Sequence, residues 1–204
     1  MSDYYYYEPQ HGHGLPHNPL NAIIAPRPIG WISSIDAEGK VNLAPYSFFN
    51  AFCYEPPIIG FSSGGPKDSQ QNIAATGEFV FNLVTKKHAA AMNETSFPFE
   101  HGINEFEQAG LTMTSSRLVR PPRVTDTPVA FECKLLQMLP LKDLDGKATP
   151  NTVIFGQVVA VHIDKAFLKE GLFDIVAAGT VGRCGYLADY VEVKELFQMA
   201  RPGE

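Results

Sequence analysis

Residues 29–47 constrain the fold more than any other part of this chain, because they have the pattern of two β-strands joined by a tight turn. Apolar residues alternate with hydroxyl-bearing or small residues in residues 29–35 and again in residues 40–47. Between them lies the sequence DAEG, residues 36–39, whose glycine suits a tight turn. We therefore predict an antiparallel hairpin here.

Strand patterns continue through most of the remaining chain. Residues 78–85 are almost continuously apolar, which is typical of a strand buried on both faces. Residues 129–139 and 152–164 form two longer candidates around a polar loop, and residues 58–63 form a shorter one. Many strands with few helices indicate an all-β barrel or sandwich.

Helical patterns are short. Asp68 is predicted to cap a helix that ends at Gly77, with Gln71 as its capping-box partner. Further helices are predicted at residues 87–93, 104–109 and 190–200.

The composition fits one globular domain without nucleic-acid or membrane affinity. The chain has 204 residues, 45% of them hydrophobic and 19% charged, which suits a single core. We expect an N-terminal arm at residues 1–18, flexible in part, and one domain at residues 19–204. A net charge of -6 disfavours phosphate-backbone binding. No apolar run approaches the ~20 residues of a membrane span, and the Tyr-rich N-terminus lacks the basic and apolar regions of a signal peptide, so we expect a cytoplasmic protein.

Cysteine and histidine spacing gives no metal or disulfide motif. The three cysteines are far apart, which favours reduced thiols: Cys53, Cys133 and Cys184. Three N-terminal histidines have no Cys or carboxylate partners at ligand spacing, and we expect no metal there.

Hydroxyls and one lysine are predicted to gather at one end of the barrel. Serines close two predicted strands, and Lys67 stands at the start of the first helix. A phosphate there would gain charge-assisted hydrogen bonds and the favourable end of the helix dipole. The same residues also suit ordinary turns and a solvated charge, and spacing alone does not decide. The candidates are Ser33, Ser34, Ser62, Ser63, Lys67, Asp68 and Ser69.

The second half of the hairpin suits a flat ring. Small residues in NLAPYSFF leave room for one, and the main-chain amides of Tyr46, Ser47 and Phe48 are candidate donors to its polar atoms. Pro45 would lie against the ring, and Trp31 is either a ring contact or core. Phe49 and Phe52 are assigned to the core. Together with the phosphate end, this predicts a phosphorylated aromatic cofactor.

Six segments, in this order, resemble the flavin reductase-like, FMN-binding split-barrel family, which includes flavoredoxins: PRPIGWISS, NLAPYSFFN, EPP, KDSQQNI, TGEFVFNLV and GQVVAVHID. The resemblance runs from about residue 18 to residue 186. It implies a Greek-key split β-barrel and a homodimer with FMN bound at or near the subunit interface. It also implies an FMN phosphate at the matching Ser and Lys positions.

Three further residues have open roles. Arg27, held between two prolines, is a candidate phosphate or ribityl contact, or a partner of a carboxylate. Arg183 resembles a late arginine of the family, but Cys184 replaces a glycine after it, which leaves its cofactor contact open. His162 matches a recurrent histidine that would lie near the flavin or hold its own strand by a hydrogen bond.

The resemblance implies a flavin-dependent oxidoreductase, in which NADH or NADPH reduces the flavin and the flavin reduces an acceptor. No GxGxxG, P-loop or HExxH motif occurs, so a nicotinamide would bind transiently. The alternatives are a non-catalytic FMN carrier, and an FMN oxidase or haem-handling relative on a similar barrel. Residues 94–107, an acidic segment that includes His101, are expected to be a solvated face.

Overall fold

The computed structural model describes residues 3–203. Its strands in chain order are β1 Arg27–Pro28, β2 Gly30–Ile35, β3 Val41–Tyr46, β4 Phe49–Cys53, β5 Ile58–Gly64, β6 Glu78–Asn82, β7 Met113–Thr114, β8 Arg123–Val124, β9 Val129–Lys142, β10 Ala148–Ile163, β11 Leu168–Lys169, β12 Leu172–Phe173, β13 Val181–Arg183 and β14 Tyr190–Glu192. The α-helices are α1 Leu20–Ile23, α2 Asp68–Thr76, α3 Ala89–Glu94 and α4 Glu105–Gln108, and single 3-10 turns lie at Pro9–His11, Lys86–His88 and Lys165–Phe167.

A seven-stranded antiparallel sheet forms the body of the fold. Its strand order is β3-β2-β6-β9-β10-β5-β4, so β3 and β4 are the edges. The sheet curls into a half-barrel, and the predicted all-β split barrel is confirmed. A smaller sheet, in the order β1-β13-β14, packs beside it. Edge strands leave main-chain groups free for other partners.

The predicted hairpin forms as the sequence pattern requires. Ser33 pairs with Leu43 and Gly30 with Tyr46, and the Asp36 amide donates to the Lys40 carbonyl across the turn. Gly77 ends α2 with a left-handed φ of 72°, as predicted.

Apolar side chains of the sheet fill the barrel. Phe79 and Ile154 are fully buried in the main cluster, together with Phe61. Gly156 is required in this core, because a Cβ there would lie 2.3 Å from Cε1 of Phe79. The central strands therefore pack too closely to admit a larger side chain at that position.

Three local predictions are wrong, and one strand was not predicted. Lys67, not Asp68, is the N-cap of α2, and no side chain caps the helix, while Gln71 donates back to the Pro66 carbonyl. Residues 190–200 contain the short strand β14 and no helix. Strand β4 lacks the expected alternation of buried and exposed residues and was not predicted. Phe52, assigned to the core, is 58% exposed.

The described part of the N-terminal arm is held by its own aromatic contacts. The Tyr5 hydroxyl donates to the His13 carbonyl at 2.9 Å, and the Tyr7 and His13 rings lie 6.3 Å apart. Residues 1 and 2, part of the predicted arm, lie outside the described residues.

Candidate functional site

A cavity of about 480 Å³ opens between β3, the end of β5, the start of α2 and the segment 95–99. We call it the Lys67 cavity. It brings together most of the side chains that the sequence predicted for a cofactor: Pro45, Tyr46, Ser47, Phe48, Ser62, Lys67, Asp68 and Ser69. The hydroxyl–lysine group and the small-residue strand therefore line one space.

The start of α2 has free hydrogen-bond donors. The main-chain amides of Asp68, Ser69 and Gln70 have no acceptor within the helix, and no side chain caps them. The Lys67 side chain is exposed beside them. Because the helix dipole adds partial positive charge at this end, the site suits an anion.

A buried polar network supports this end of the cavity. The Glu105 carboxylate accepts the Leu43 amide at 3.0 Å. The Asn42 amide lies between two neighbours, accepting from Ser69 Oγ at 2.8 Å and donating to Glu105 Oε1 at 3.1 Å. Burial raises the pKa of Glu105, and hydrogen bonds from the Leu43 and Glu105 amides offset only part of that rise.

Two buried hydroxyls near the cavity have no hydrogen-bond partner among the described residues. They belong to Tyr46 and Ser63. Burial raises the pKa of Tyr46. A buried hydroxyl without a partner costs about 1–3 kcal/mol, so these groups favour a polar ligand or water beside them.

One wall of the Lys67 cavity was missed by sequence reasoning. It consists of residues 95–99, with the Phe97 and Phe99 ring centroids 4.8 Å apart. His101 Nδ1 lies 2.9 Å from Asp68 Oδ1 and ties this segment to α2. The acidic segment that was expected to be a solvated face therefore contributes a cavity wall and the buried Glu105.

A second chamber of about 490 Å³ adjoins the first. We call it the Arg183 chamber. It shares Pro45, Ser47 and Ser96 with the Lys67 cavity. Its remaining lining comes from β13, β14 and neighbouring segments: Ile29, Met92, Asn93, Arg183, Leu187, Ala188 and Tyr190.

The structure places the other predicted contacts away from the cavity lining. Ser33 is fully buried and donates to the Pro122 carbonyl, and Ser34, also buried, accepts from Asn72 Nδ2 at 3.2 Å. Trp31 is fully buried, with Nε1 donating to Thr95 Oγ1 at 2.9 Å. Ser63 is buried beneath the cavity.

Arg27 is buried as well, at 6% exposure. Its Nη1 donates to the main-chain carbonyls of Asn21 and of Ile24, the second at 2.7 Å. Asn21 lines the Lys67 cavity, so Arg27 holds a segment of its rim while its own side chain lies outside the lining.

His162 has a hydrogen-bonded partner of its own. Its Nε2 lies 2.6 Å from Oε1 of the fully buried Glu132, and His162 lines neither chamber. Of the two roles left open for His162, the structure shows the hydrogen-bonded strand histidine.

The described residues hold no group of three or more His, Cys, Asp or Glu side chains that could bind a metal ion. All three cysteines are free thiols, and burial raises the pKa of Cys133. Within residues 3–203, no helix has both the length and the apolar character needed to span a bilayer.

The fold is that of a split-barrel protein with two adjoining cavities. Residues 24–175, most of the chain, match the family model of the flavin reductase like domain. The chain therefore belongs to the flavin reductase-like family.

Individual relatives agree with this assignment. An uncharacterized protein of Aquifex aeolicus is 38% identical over 155 residues, which are 74% of this chain and 76% of that protein. The 2-nitrobenzoate 2-nitroreductase NbaA of Pseudomonas fluorescens is 30% identical, with a TM-score of 0.79 over 90% of this chain and 89% of its own. Nitrilotriacetate monooxygenase component B of Bacillus cereus is 26% identical, with a TM-score of 0.87 over 98% and 100%. Family membership supports a flavin cofactor and flavin-dependent oxidoreductase chemistry.

Proposed function

We propose that the protein binds FMN in the Lys67 cavity and acts as a flavin-dependent oxidoreductase that is reduced by NADH or NADPH. One observation carries the proposal. A single cavity joins a hydroxyl-rich end, which has Lys67 and the free amides of α2, to a strand edge of small residues at Pro45 and Ser47. Those are the requirements of a phosphate and of a flat ring, at two ends of one space.

The phosphate end predicts a preference for FMN over riboflavin. Lys67 and the free amides at the start of α2 are donors to a dianion, and the hydroxyls of Ser62 and Ser69 line the same end. Each hydrogen bond to a charged group contributes about 1.5–3 kcal/mol. Riboflavin has no phosphate and would lose these contacts.

The ring end is set by the outer edge of β3. The Leu43 amide donates to Glu105 and so points away from β2. Because main-chain groups alternate between the two edges of a strand, Pro45 and Ser47 share this outer edge. Pro45 has no N–H, so the amide of Ser47 is the donor that this edge presents to a ring carbonyl.

A bound flavin would supply the redox chemistry, taking up two electrons as hydride and passing them on. The chain binds the ring, orients it and limits access of water to it. No side chain is required to break a bond. Absence of a GxGxxG motif from the sequence agrees with a reductant that approaches the open side of the ring without a domain of its own.

The proposed assembly is a homodimer. Strand β4 is an edge of the large sheet, and exposed apolar residues lie on it and, beyond β5, on β10 and β9. Phe52 is 58% and Leu139 43% exposed, and the Phe52 ring packs edge-on against Phe155. An exposed edge with large apolar residues favours a protein partner. Phe48 of the Lys67 cavity directly precedes β4, so a second copy on this face would flank the cofactor site.

Two measurements on the purified protein test the proposal. Flavin fluorescence quenching should show saturable FMN binding, and absence of binding at tens of micromolar would remove the cofactor assignment. Anaerobic stopped-flow should then show loss of the flavin band near roughly 450 nm on addition of NADH or NADPH. A bound flavin that dithionite reduces but that neither nucleotide reduces would make the protein an FMN carrier.

A further inference from the structure

The Arg183 chamber has one cation and no opposing acid. Arg183 is the only charged residue in its described lining, and the other residues are apolar or neutral. No carboxylate pairs with Arg183 among residues 3–203. Asp189, which is close in sequence, instead accepts the Tyr186 amide at 2.8 Å. A guanidinium without a counter-charge attracts an anion into the chamber.

The Arg183 side chain is held in place by neutral groups. Its Nη2 donates to the Leu187 carbonyl at 3.0 Å, and its Cζ lies 4.6 Å from the centroid of the Tyr190 ring. Both contacts fix the guanidinium while leaving most of its five N–H donors unused. Such a planar, preorganised group suits bidentate binding of a carboxylate.

A second arginine adjoins Arg183, although its side chain is outside the chamber lining. Arg27 pairs with Arg183 in the register of β1 and β13, so the two side chains leave the same face of the small sheet. Their Cβ atoms are then about 4.5–5.5 Å apart, and like charges directly opposite are destabilising. Nε of Arg27 is buried with no hydrogen-bond partner. A bound anion would relieve this repulsion.

The rest of the chamber suits a ring. Met92, Leu187 and the Tyr190 ring form apolar walls, and the chamber opens onto the Lys67 cavity at Pro45 and Ser47. A small aromatic molecule on these walls would lie beside the strand edge assigned to the flavin ring.

From this geometry we propose that the Arg183 chamber is the acceptor subsite and that it takes a small aromatic carboxylate, with the carboxylate on Arg183 and the ring against the Met92–Leu187 wall. In the redox step, a two-electron-reducible substituent on that ring would take hydride from the reduced flavin and a proton from water, while the carboxylate stays unchanged as the binding group. The assignment of an acceptor rests on the proposed function, because it requires the flavin in the Lys67 cavity. The binding preference itself depends only on residues of the chamber.

Calorimetric titration of the FMN-loaded protein with benzoate and with benzamide tests the preference. The two ligands have nearly the same shape, but only benzoate is charged. Benzoate should bind saturably and more tightly than benzamide. Arg183→Gln should weaken benzoate about tenfold to a hundredfold, as expected for a lost hydrogen bond between charged groups, and leave benzamide unchanged. Arg183→Lys should keep part of the benzoate affinity, and the exposed Arg117→Gln should keep all of it.

Equal affinity for the two ligands, or full benzoate binding by Arg183→Gln with a native circular-dichroism spectrum, would overturn the proposal. A loss of NADH binding in Arg183→Gln without a loss of benzoate binding would also overturn it, because Arg183 would then bind an anionic group of the dinucleotide. FMN titration of each variant separates the two hypotheses. If Arg183→Gln no longer binds FMN, Arg183 is a cofactor contact and the subsite is wrong, while the proposed function stands. If the wild type binds no FMN, the proposed function fails, and titration of the same protein with benzoate still measures the chamber.

Discussion

Glu132 Oε1 lies 2.6 Å from His162 Nε2, and the same carboxylate holds the loop of residues 117–119 against the centre of the barrel. Glu132 is fully buried on β9, and its carboxylate also accepts the main-chain amides of Arg117, Leu118 and Val119 at 2.7, 2.6 and 3.2 Å. One carboxylate thus satisfies three donors of a loop that has no strand partner of its own.

Replacing Glu132 should cost more stability than replacing His162. Glu132→Gln puts an NH₂ group against several N–H donors, and breaking a buried charged pair in this way costs about 3–5 kcal/mol. His162→Ala leaves the three amides bonded and should cost less. Urea unfolding measures both, with exposed Glu195→Gln as the control. Equal losses of unfolding free energy in the two variants would show that the three amide hydrogen bonds to Glu132 do not contribute to stability.

The same carboxylate should make the protein sensitive to acid. Burial opposes ionisation of Glu132, but the hydrogen bonds from Arg117, His162 and Leu118 outweigh it, and its pKa falls below the ordinary 4.5. The folded state then binds this proton less readily than the unfolded state. The stabilisation is present above pH 4.5 and is lost as the pH falls through the lower, folded-state pKa. Unfolding free energies of wild type and Glu132→Gln should therefore converge in acid, and a constant difference would contradict this.

Glu105 should have the opposite effect on how stability depends on pH. Burial raises its pKa above the ordinary value of 4.5, so the folded state binds the proton more readily than the unfolded state. Wild-type stability should fall as the pH rises from 4.5 through the raised pKa, and Glu105→Gln should not share this loss. Urea unfolding across this interval checks the difference. Glu107→Gln, exposed on the same helix α4, is the matched control and should follow the wild type.

Thr95 should stabilise both the core and the cavity wall. Its hydroxyl accepts from Trp31 Nε1 at 2.9 Å and donates to the Met92 carbonyl at 2.7 Å. Thr95→Val keeps the shape but leaves the buried indole N–H without a partner, at a cost of about 1–3 kcal/mol. Trp31 is the only tryptophan, so its fluorescence reports the unfolding directly. Thr95→Ser should keep much of the stability, whereas unchanged stability in Thr95→Val would show that the hydrogen bond from Trp31 contributes nothing.

Lys67→Ala should weaken FMN more than riboflavin. The side chain is assigned to the phosphate, which riboflavin lacks, so the difference should correspond to about 1.5–3 kcal/mol. Flavin fluorescence quenching with both ligands measures it, and exposed Lys169→Ala, far along the chain, is the control. An equal loss of affinity for both flavins would show that Lys67 does not contact the phosphate.

Local patterns predicted the elements whose signals are local. The hairpin of β2 and β3, the end of α2 at Gly77 and the long strands β9 and β10 follow from alternation and from a left-handed glycine. Strand β4 could not be found in this way, because its residues are mostly exposed and lack an alternating pattern. The capping prediction failed because several polar residues stand together at Lys67 to Ser69, and the sequence does not show which one leaves the helix.

The same distinction between local and tertiary signals applies to the residues of the candidate site. Residues on β3 and at the start of α2 were predicted to share a site because they carry recognisable chemistry, and they line one cavity. The segment 95–99 and Glu105 reach that cavity only through tertiary packing, as in the 2.9 Å contact of His101 with Asp68. Trp31 and Ser33 are of the same residue types as the cavity residues, but their positions on β2 place their side chains in the protein interior.

Substitution of Phe52 should disrupt the proposed dimer. Phe52→Glu places a charge at the β4 edge of the exposed apolar surface, beside Phe155 of β10, where burial of an unpaired carboxylate in an interface is unfavourable. Light scattering at micromolar concentration should give twice the chain mass of 22.4 kDa for the wild type and the single mass for the variant. Leu172→Glu changes a residue that is 75% exposed on β12, outside this surface, and should remain dimeric. Since Phe48 directly precedes β4, Phe52→Glu should also weaken FMN. A wild type of 22.4 kDa with FMN present would exclude the dimer, and a dimeric Phe52→Glu would place the interface on another face.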